Sequence, residues 1–246
     1  MVDILVVGGG IAGLSVAGRL SKSAKVTLLE AEGNLGYHSS SRSAAAFIED
    51  YGNEVIREFN SASKSYLSKD GVDVLSPRGS LILGKKDEKN AFKEQCSGFA
   101  HNEISVSDAR SLIEIINNKS VEYAGYKEDI YDIDTDKLLQ HFTKDIKANG
   151  SEIYTDSKVI AAEFKEGKWH ITTDRKTFIC DVIVNAAGAW VDELALKCGI
   201  KPLGFLPFKR SMARVPAPDD SGNHKSWPMA FGLNEAFYAK PDAGEM

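Results

Sequence analysis

The first apolar run, Ile4-Leu5-Val6-Val7, has the continuous pattern of a strand buried on both faces. A glycine-rich stretch follows at once. From Leu14 to Lys22 the residues Val16, Ala17 and Leu20 share one side, which predicts a helix. Lys25-Val26-Thr27-Leu28-Leu29 predicts a second strand, ending at Glu30. Asn53 to Leu67 spaces Val55, Ile56, Phe59, Ala62, Ser63 and Tyr66 as an amphipathic helix. Leu75 to Gly79 reads as a turn, Ser80 to Leu83 as a strand, and Asp87 to Gln95 and Ser107 to Ile116 as short exposed helices. Asp134 or Thr135 caps a helix to Ala148 that buries Leu138, Leu139, Phe142 and Ile146 and stops before Gly150. Strands are predicted over Glu152 to Tyr154, Val159 to Phe164, Trp169 to Thr173 and Thr177 to Cys180, with a tight turn at Gly167. Val182-Ile183-Val184-Asn185 reads as a further buried strand leading into Ala-Ala-Gly.

The glycines between the first strand and helix have GxGxxG spacing at Gly8, Gly10 and Gly13. Gly8 allows the sharp turn, Gly10 lets backbone approach a pyrophosphate, and Gly13 lets helix and strand pack closely. The helix N-terminus offers unpaired N–H groups and a partial positive charge to phosphates. Glu30, at the end of the second strand, can accept a hydrogen bond from a ribose 2′-hydroxyl and disfavours a 2′-phosphate. Strand, glycines, helix, strand and acid together predict a dinucleotide site.

Composition narrows the partners. The chain has 246 residues, 30 Lys+Arg against 35 Asp+Glu, hence 30 − 35 = −5, with 43% apolar residues. That balance excludes a disordered chain and leaves no basic excess for nucleic acid. Cys96, Cys180 and Cys198 form no CxxC pair and the histidines no HxxxH or HxH spacing, so neither a disulfide framework nor a metal site is expected. Ile4 to Gly18 is too short to span about 30 Å of hydrocarbon, and Asp3 stands where a secretion signal needs basic residues. No integral membrane segment is expected, and the location expected is cytoplasmic, with peripheral membrane contact left open.

The next segment separates FAD from NAD. Gly36-Tyr37-His38-Ser39-Ser40-Ser41-Arg42-Ser43-Ala44-Ala45-Ala46-Phe47 offers hydroxyls, amides and an arginine just after the ribose site, suited to the longer chain of FAD. With Gly8 to Gly13 and Glu30, it resembles the D-amino-acid oxidase (DAO) superfamily of FAD-dependent oxidoreductases, most of all its D-arginine dehydrogenase and glycine oxidase branch. Asp132-Ile133-Asp134-Thr135-Asp136, Val184-Asn185-Ala186-Ala187-Gly188-Ala189-Trp190, Lys209-Arg210-Ser211, Trp227-Pro228-Met229 and Phe237-Tyr238-Ala239-Lys240-Pro241-Asp242 follow in the family's order.

The resemblance implies an α/β fold. It pairs a Rossmann-like FAD-binding domain of the GR2 type, residues 1–74 and 134–200, with an inserted mixed α+β substrate domain, residues 75–133 and 201–246. It gives noncovalent FAD the residues Gly8, Gly10, Ile11, Ala12, Gly13, Glu30, Ala31, Ser39, Arg42, Ser43, Ala44 and Gly188, and Val159 a backbone contact on the adenine side. Family members continue well beyond Met246, so a C-terminal part is expected to be missing.

The activity implied is oxidation of a Cα–N bond by hydride transfer to flavin N5, giving an imino acid that hydrolyses to keto acid and ammonia. Its partners are a small-molecule amino-acid substrate and an electron acceptor, oxygen or a quinone. A carboxylate is best held by a planar, always-charged fork, and Arg210 matches the family position, although most arginines only decorate surfaces. Tyr238 matches a phenol beside the carboxylate and Tyr51 a tyrosine lining the pocket; ordinary packing would also explain either. Where the D-arginine enzyme has a carboxylate for a cationic side chain this chain has Ser80, and Ala46 stands where it has a histidine. A D-amino acid with a neutral or apolar side chain is therefore expected. A 2-hydroxy acid, glycerol phosphate, an NAD-dependent dehydrogenase and a non-catalytic nucleotide-binding remnant are the alternatives.

Overall fold

The structure, a computed structural model, describes residues 2–68, 71–216 and 223–241. Asp242 of the last sequence block, and Gly244, Glu245 and Met246, lie outside the described residues.

The chain opens with β1 (Val2–Val7), α1 (Ile11–Leu20) and β2 (Val26–Leu29). Next come β3 (Ala46–Phe47), α2 (Glu54–Leu67), β4 (Leu75–Pro77), β5 (Ser80–Gly84) and α3 (Lys89–Gly98). They are followed by β6 (Asn102–Ile104), α4 (Val106–Leu112), β7 (Tyr123–Lys127) and β8 (Tyr131–Ile133). Then come α5 (Thr135–Ala148), β9 (Glu152–Tyr154), β10 (Val159–Lys165), β11 (Lys168–Thr173), β12 (Thr177–Asn185) and α6 (Val191–Lys197). The last elements are β13 (Met229–Gly232) and β14 (Tyr238–Ala239).

The chain divides into two compact units, Met1–Ser43 with Thr135–Arg210, and Ala44–Asp134 with Ser211–Met246. The first boundary falls at Ser43 rather than at 74, and the last at Arg210 rather than at 200. Short strands explain the first difference: β3 and β4 both pair with β8, which draws residues 44–74 into the second unit.

In the first unit a six-stranded sheet has the order β10-β11-β12-β1-β2-β9. β12, β1, β2 and β9 run parallel, and β11 pairs antiparallel with both β10 and β12. β2 is buried along its whole length, as its continuous apolar run requires. One core holds Val2, Leu5, Leu29, Val159, Ile171, Phe178, Cys180 and Leu194. α1 packs on α5, where a Cβ built at Gly18 would lie 3.1 Å from Phe142 Cδ1. All four predicted stripe residues of α5 are buried.

The second unit has a five-stranded sheet, β14-β13-β5-β7-β6, and a three-stranded sheet, β3-β8-β4. Trp227, Leu81, Ala124 and Ile113 share one buried cluster, and Phe92, Ile82, Cys96 and Leu233 another.

Several predicted bounds change. α1 begins at Ile11, three residues before the apolar pattern, because Gly13 inside it carries no side chain to declare the helix. The expected turn at 75–79 starts as β4, an edge strand that tolerates Pro77. The strands expected over 177–180 and 182–185 are one continuous β12. α2 forms as predicted, but Val55, Ile56 and Phe59 on its apolar face stay exposed. Among the described residues no helix is long and apolar enough to cross a membrane.

Candidate functional site

The parallel register sets β1, β2 and β12 in line, so their carboxyl ends open at one edge of the sheet. Gly8 follows β1, Glu30 follows β2, and the turn containing Gly188 follows β12. That edge is where ligands bind in open parallel sheets.

Two glycines are sterically required. Gly8 has φ +117°, and a Cβ there would lie 2.2 Å from the Ala186 carbonyl oxygen. A Cβ at Gly13 would lie 1.8 Å from the Gly8 carbonyl oxygen. The first would push the turn off the end of β12, the second the helix off the strand. Gly10 is the N-cap of α1 in an extended conformation, so the amides of Ile11, Ala12 and Gly13 form the first helical turn. Ile11 and Ala12 are exposed at that end. No acidic residue sits in the first turn to compete for an anion.

Glu30 is buried, 9% exposed. Its Oε2 accepts from the Gly9 amide at 2.7 Å and its Oε1 from the Glu32 amide at 2.8 Å. The carboxylate therefore braces the glycine loop. Each oxygen retains a lone pair that can accept a ribose hydroxyl. Ala31 is exposed beside it.

The hydroxyl-rich loop folds back on the same turn. The Gly36 amide donates to the Gly9 carbonyl at 2.9 Å. The Ser40 hydroxyl accepts from the Ile11 amide at 2.9 Å, capping α1 from across the chain. The residue in contact with the helix is Ser40, and no local signal separates it from the serines on either side. Ser39 and Ser43 are exposed, in a short 3-10 turn and just after it. The Arg42 guanidinium lies 4.7 Å from the Tyr37 ring centre. His38 pairs with Glu32 at 3.0 Å and packs against Trp190 with ring centres 4.5 Å apart.

Gly188 has φ +55°, and a Cβ there would meet nothing within 4 Å. Val159 is buried at the start of β10, and its carbonyl accepts from Lys197 Nζ at 2.8 Å. Arg210 lies on an exposed, irregular segment. That segment is tied down at its beginning by Asp192, whose carboxylate accepts from the amides of Leu203, Gly204 and Phe205 at 3.0, 2.8 and 2.8 Å. The sequence reading missed Asp192, because its partners are backbone groups eleven to thirteen residues away.

In the second unit, Ala44 is half-buried just before β3. Tyr51 is 52% exposed and stacks on Phe99, with ring centres 6.3 Å apart. Tyr238 opens β14, 40% exposed, opposite Phe231. Ser80 is fully buried, and its hydroxyl lies 2.6 Å from His101 Nε2. Burial pushes the His101 pKa down to about 4. Among the described residues no group of three or more His, Cys, Asp or Glu could hold a metal ion.

Comparison with known proteins agrees with this geometry. The model of the family "FAD dependent oxidoreductase" (DAO) matches residues 3–246. A glycine oxidase from Bacillus licheniformis is 23% identical over 84% of this chain and 59% of its own length. A glycerol-3-phosphate dehydrogenase from Pseudomonas aeruginosa is 22% identical over 87% of this chain and 45% of its own length. The chain thus spans about half the length of these curated relatives. Among solved structures, glycine oxidase from Geobacillus kaustophilus superposes with a TM-score of 0.77 at 16% identity, covering 99% of this chain and 69% of that one. FAD-bound L-alpha-glycerophosphate oxidase from Mycoplasma pneumoniae gives 0.71 at 20% identity, covering 80% and 57%.

Proposed function

The chain belongs to the DAO family of FAD dependent oxidoreductases, and we propose that it oxidises the Cα–N bond of a small D-amino acid with a neutral or apolar side chain. The observation that carries the reading is the single sheet edge bearing the Gly8–Gly13 turn, the α1 N-terminus and buried Glu30. The residues there fit an adenosine diphosphate moiety: glycines leave the backbone bare, helix amides face outward, and an acid stands at the ribose position. Bound noncovalently, FAD supplies the acceptor for the substrate Cα hydride, leaving an imino acid that water hydrolyses to keto acid and ammonia.

The remaining work falls to this chain's side chains. In this reading Glu30 holds the Gly9 amide in place and accepts from the ribose. The Ala12 and Gly13 amides at the start of α1 take the diphosphate, beside the Ile11 amide that donates to Ser40. Ser39, Arg42, Ser43, Ala44 and Gly188 serve the rest of the cofactor, and Val159 its adenine end. Arg210 supplies a charged fork for the substrate carboxylate, Tyr238 a phenol for the same group, and Tyr51 a wall of the pocket. No strong base is needed if the amine binds neutral.

The neutral side chain is supported by the glycine oxidases among the relatives and by the serine at position 80, which offers no carboxylate to a cationic group. A second reading, oxidation of glycerol phosphate at C–O, is favoured by the glycerol-phosphate enzymes among them.

The test is spectral. Heating the purified chain should release a yellow flavin. Anaerobic addition of D-alanine or glycine should bleach the bound flavin and yield ammonia. A colourless chain would refute the cofactor assignment. Bleaching by glycerol 3-phosphate alone would select the second reading. Oxygen uptake against quinone reduction then identifies the electron acceptor.

A further inference from the structure

Within the second unit, two cations converge on one carboxylate. Arg78 Nε donates to Asp132 Oδ2 at 2.7 Å, and Lys240 Nζ to Asp132 Oδ1 at 2.9 Å. Arg78 Nη1 donates to the carbonyls of Lys225 and Trp227 at 2.7 and 3.0 Å. The side chains of Arg78, Asp132 and Lys240 are only 16%, 15% and 16% exposed.

Among the described residues the charges do not balance. Arg78 alone neutralises Asp132 and holds it with the directed geometry of a guanidinium. Lys240 adds a second positive charge to a group largely withdrawn from water, an arrangement that costs stability unless an anion completes it. Among the described residues the Lys240 ammonium makes one ion pair, with Asp132, whereas an ammonium has three donors. Lys240 also stands two residues after Tyr238, the spacing that places side chains on one face of an extended chain.

We propose that Lys240 receives the substrate's carboxylate beside the Tyr238 hydroxyl, with Arg78 and Asp132 as the frame that holds the ammonium in place. The assignment of the anion as a substrate carboxylate rests on the oxidoreductase reading above. The excess charge itself does not.

The two are separated by testing Lys240→Met and Lys240→Arg in the full chain. Thermal unfolding is followed first without added anion, then with propionate and with inorganic phosphate at fixed ionic strength. Removing the surplus charge leaves a neutral Arg78–Asp132 pair. Lys240→Met should therefore unfold within about 2 °C of the parent, or above it. Propionate should raise the midpoint of the parent and of Lys240→Arg, and raise that of Lys240→Met by less, Arg210 and Tyr238 being unchanged in it.

In the FAD-loaded protein the KM for the amino acid should rise ~10–100-fold in Lys240→Met, the loss expected of one charged hydrogen bond, and recover in part with arginine. A Lys240→Met chain that unfolds several degrees lower without anion would make Lys240 a structural counter-ion and overturn the proposal. So would an undiminished propionate response in that variant, or stabilisation by phosphate alone. If propionate acts through Lys240 but no amino acid reduces the flavin, the anion site stands and the oxidase reading fails.

Discussion

A single carboxylate decides much of the cofactor site. Glu30 accepts two backbone amides with two oxygens, a task that only an acceptor at both positions can fill. Glu30→Gln keeps one acceptor and turns an NH2 group toward an N–H of Gly9 or Glu32. A buried donor left facing a donor costs about 1–3 kcal/mol. The same change loosens the loop that carries the α1 N-terminus, so FAD affinity should fall ~10–100-fold. Flavin fluorescence titration beside urea unfolding measures both. Lost stability with unchanged affinity would reduce Glu30 to a loop brace and remove its ribose role. At this scale the sequence was informative wherever a residue type is irreplaceable. Gly8 and Gly13 admit no Cβ, and an acid at the end of the second strand stands out. It was silent wherever partners are backbone groups or near-identical neighbours, as with Asp192 and with Ser40 among its serines.

Elements were legible in proportion to their periodicity. α5 and β2 declare themselves by a full apolar stripe and a continuous apolar run, and both form where expected. β6, β8 and β14 are two or three residues long and carry no period at all; the sheet around them makes them strands. The place of Ser80 in a sheet was not legible from its motif alone. On β5 it points inward to His101, which follows α3.

That contact joins two elements through a titratable group. His101 Nδ1 lies 3.2 Å from the Phe99 carbonyl, an acceptor only, so Nδ1 carries the proton and Nε2 accepts from Ser80. Burial lowers its pKa from 6.5 to about 4, with the nearby Lys127 charge acting in the same direction. The unfolded chain then binds a proton below pH 6.5 that the folded chain refuses. Stability is full above pH 6.5 and falls as pH drops toward 4, by about 1.4 kcal/mol per unit and about 3 kcal/mol in all. Urea unfolding from pH 7 to 4.5 should show His101→Gln losing less stability than the parent over that window. Parallel curves would show that His101 titrates normally.

At the scale of the whole molecule, the chain threads two units by leaving the first after Ser43 and re-entering it at Thr135. The family resemblance implied a discontinuous chain, but the crossover point depends on β3, β4 and β8, pairings too short to read in advance. The glycine turn, Glu30 and the serine loop all precede that crossover, whereas Val159 and Gly188 follow the return. A dinucleotide bound as proposed therefore gathers segments far apart in sequence into one protected set, and hydrogen exchange can map that set directly. FAD at about 100 times its Kd stabilises the bound state by about 2.7 kcal/mol, or ~100-fold in protection where exchange requires release of the ligand. The slowing should concentrate in residues 8–13, 30–43 and 185–190. The central amides of β5, which pair with β7 and β13 inside a sheet of their own, serve as the internal reference. Slowing confined to 8–13 and 30–43 would mean that the chain grips only the adenosine half, as a nucleotide-binding remnant would. Slowing that includes 185–190 requires the longer ligand to reach the turn after β12. No change at 8–13 would remove the cofactor site and the proposed chemistry with it.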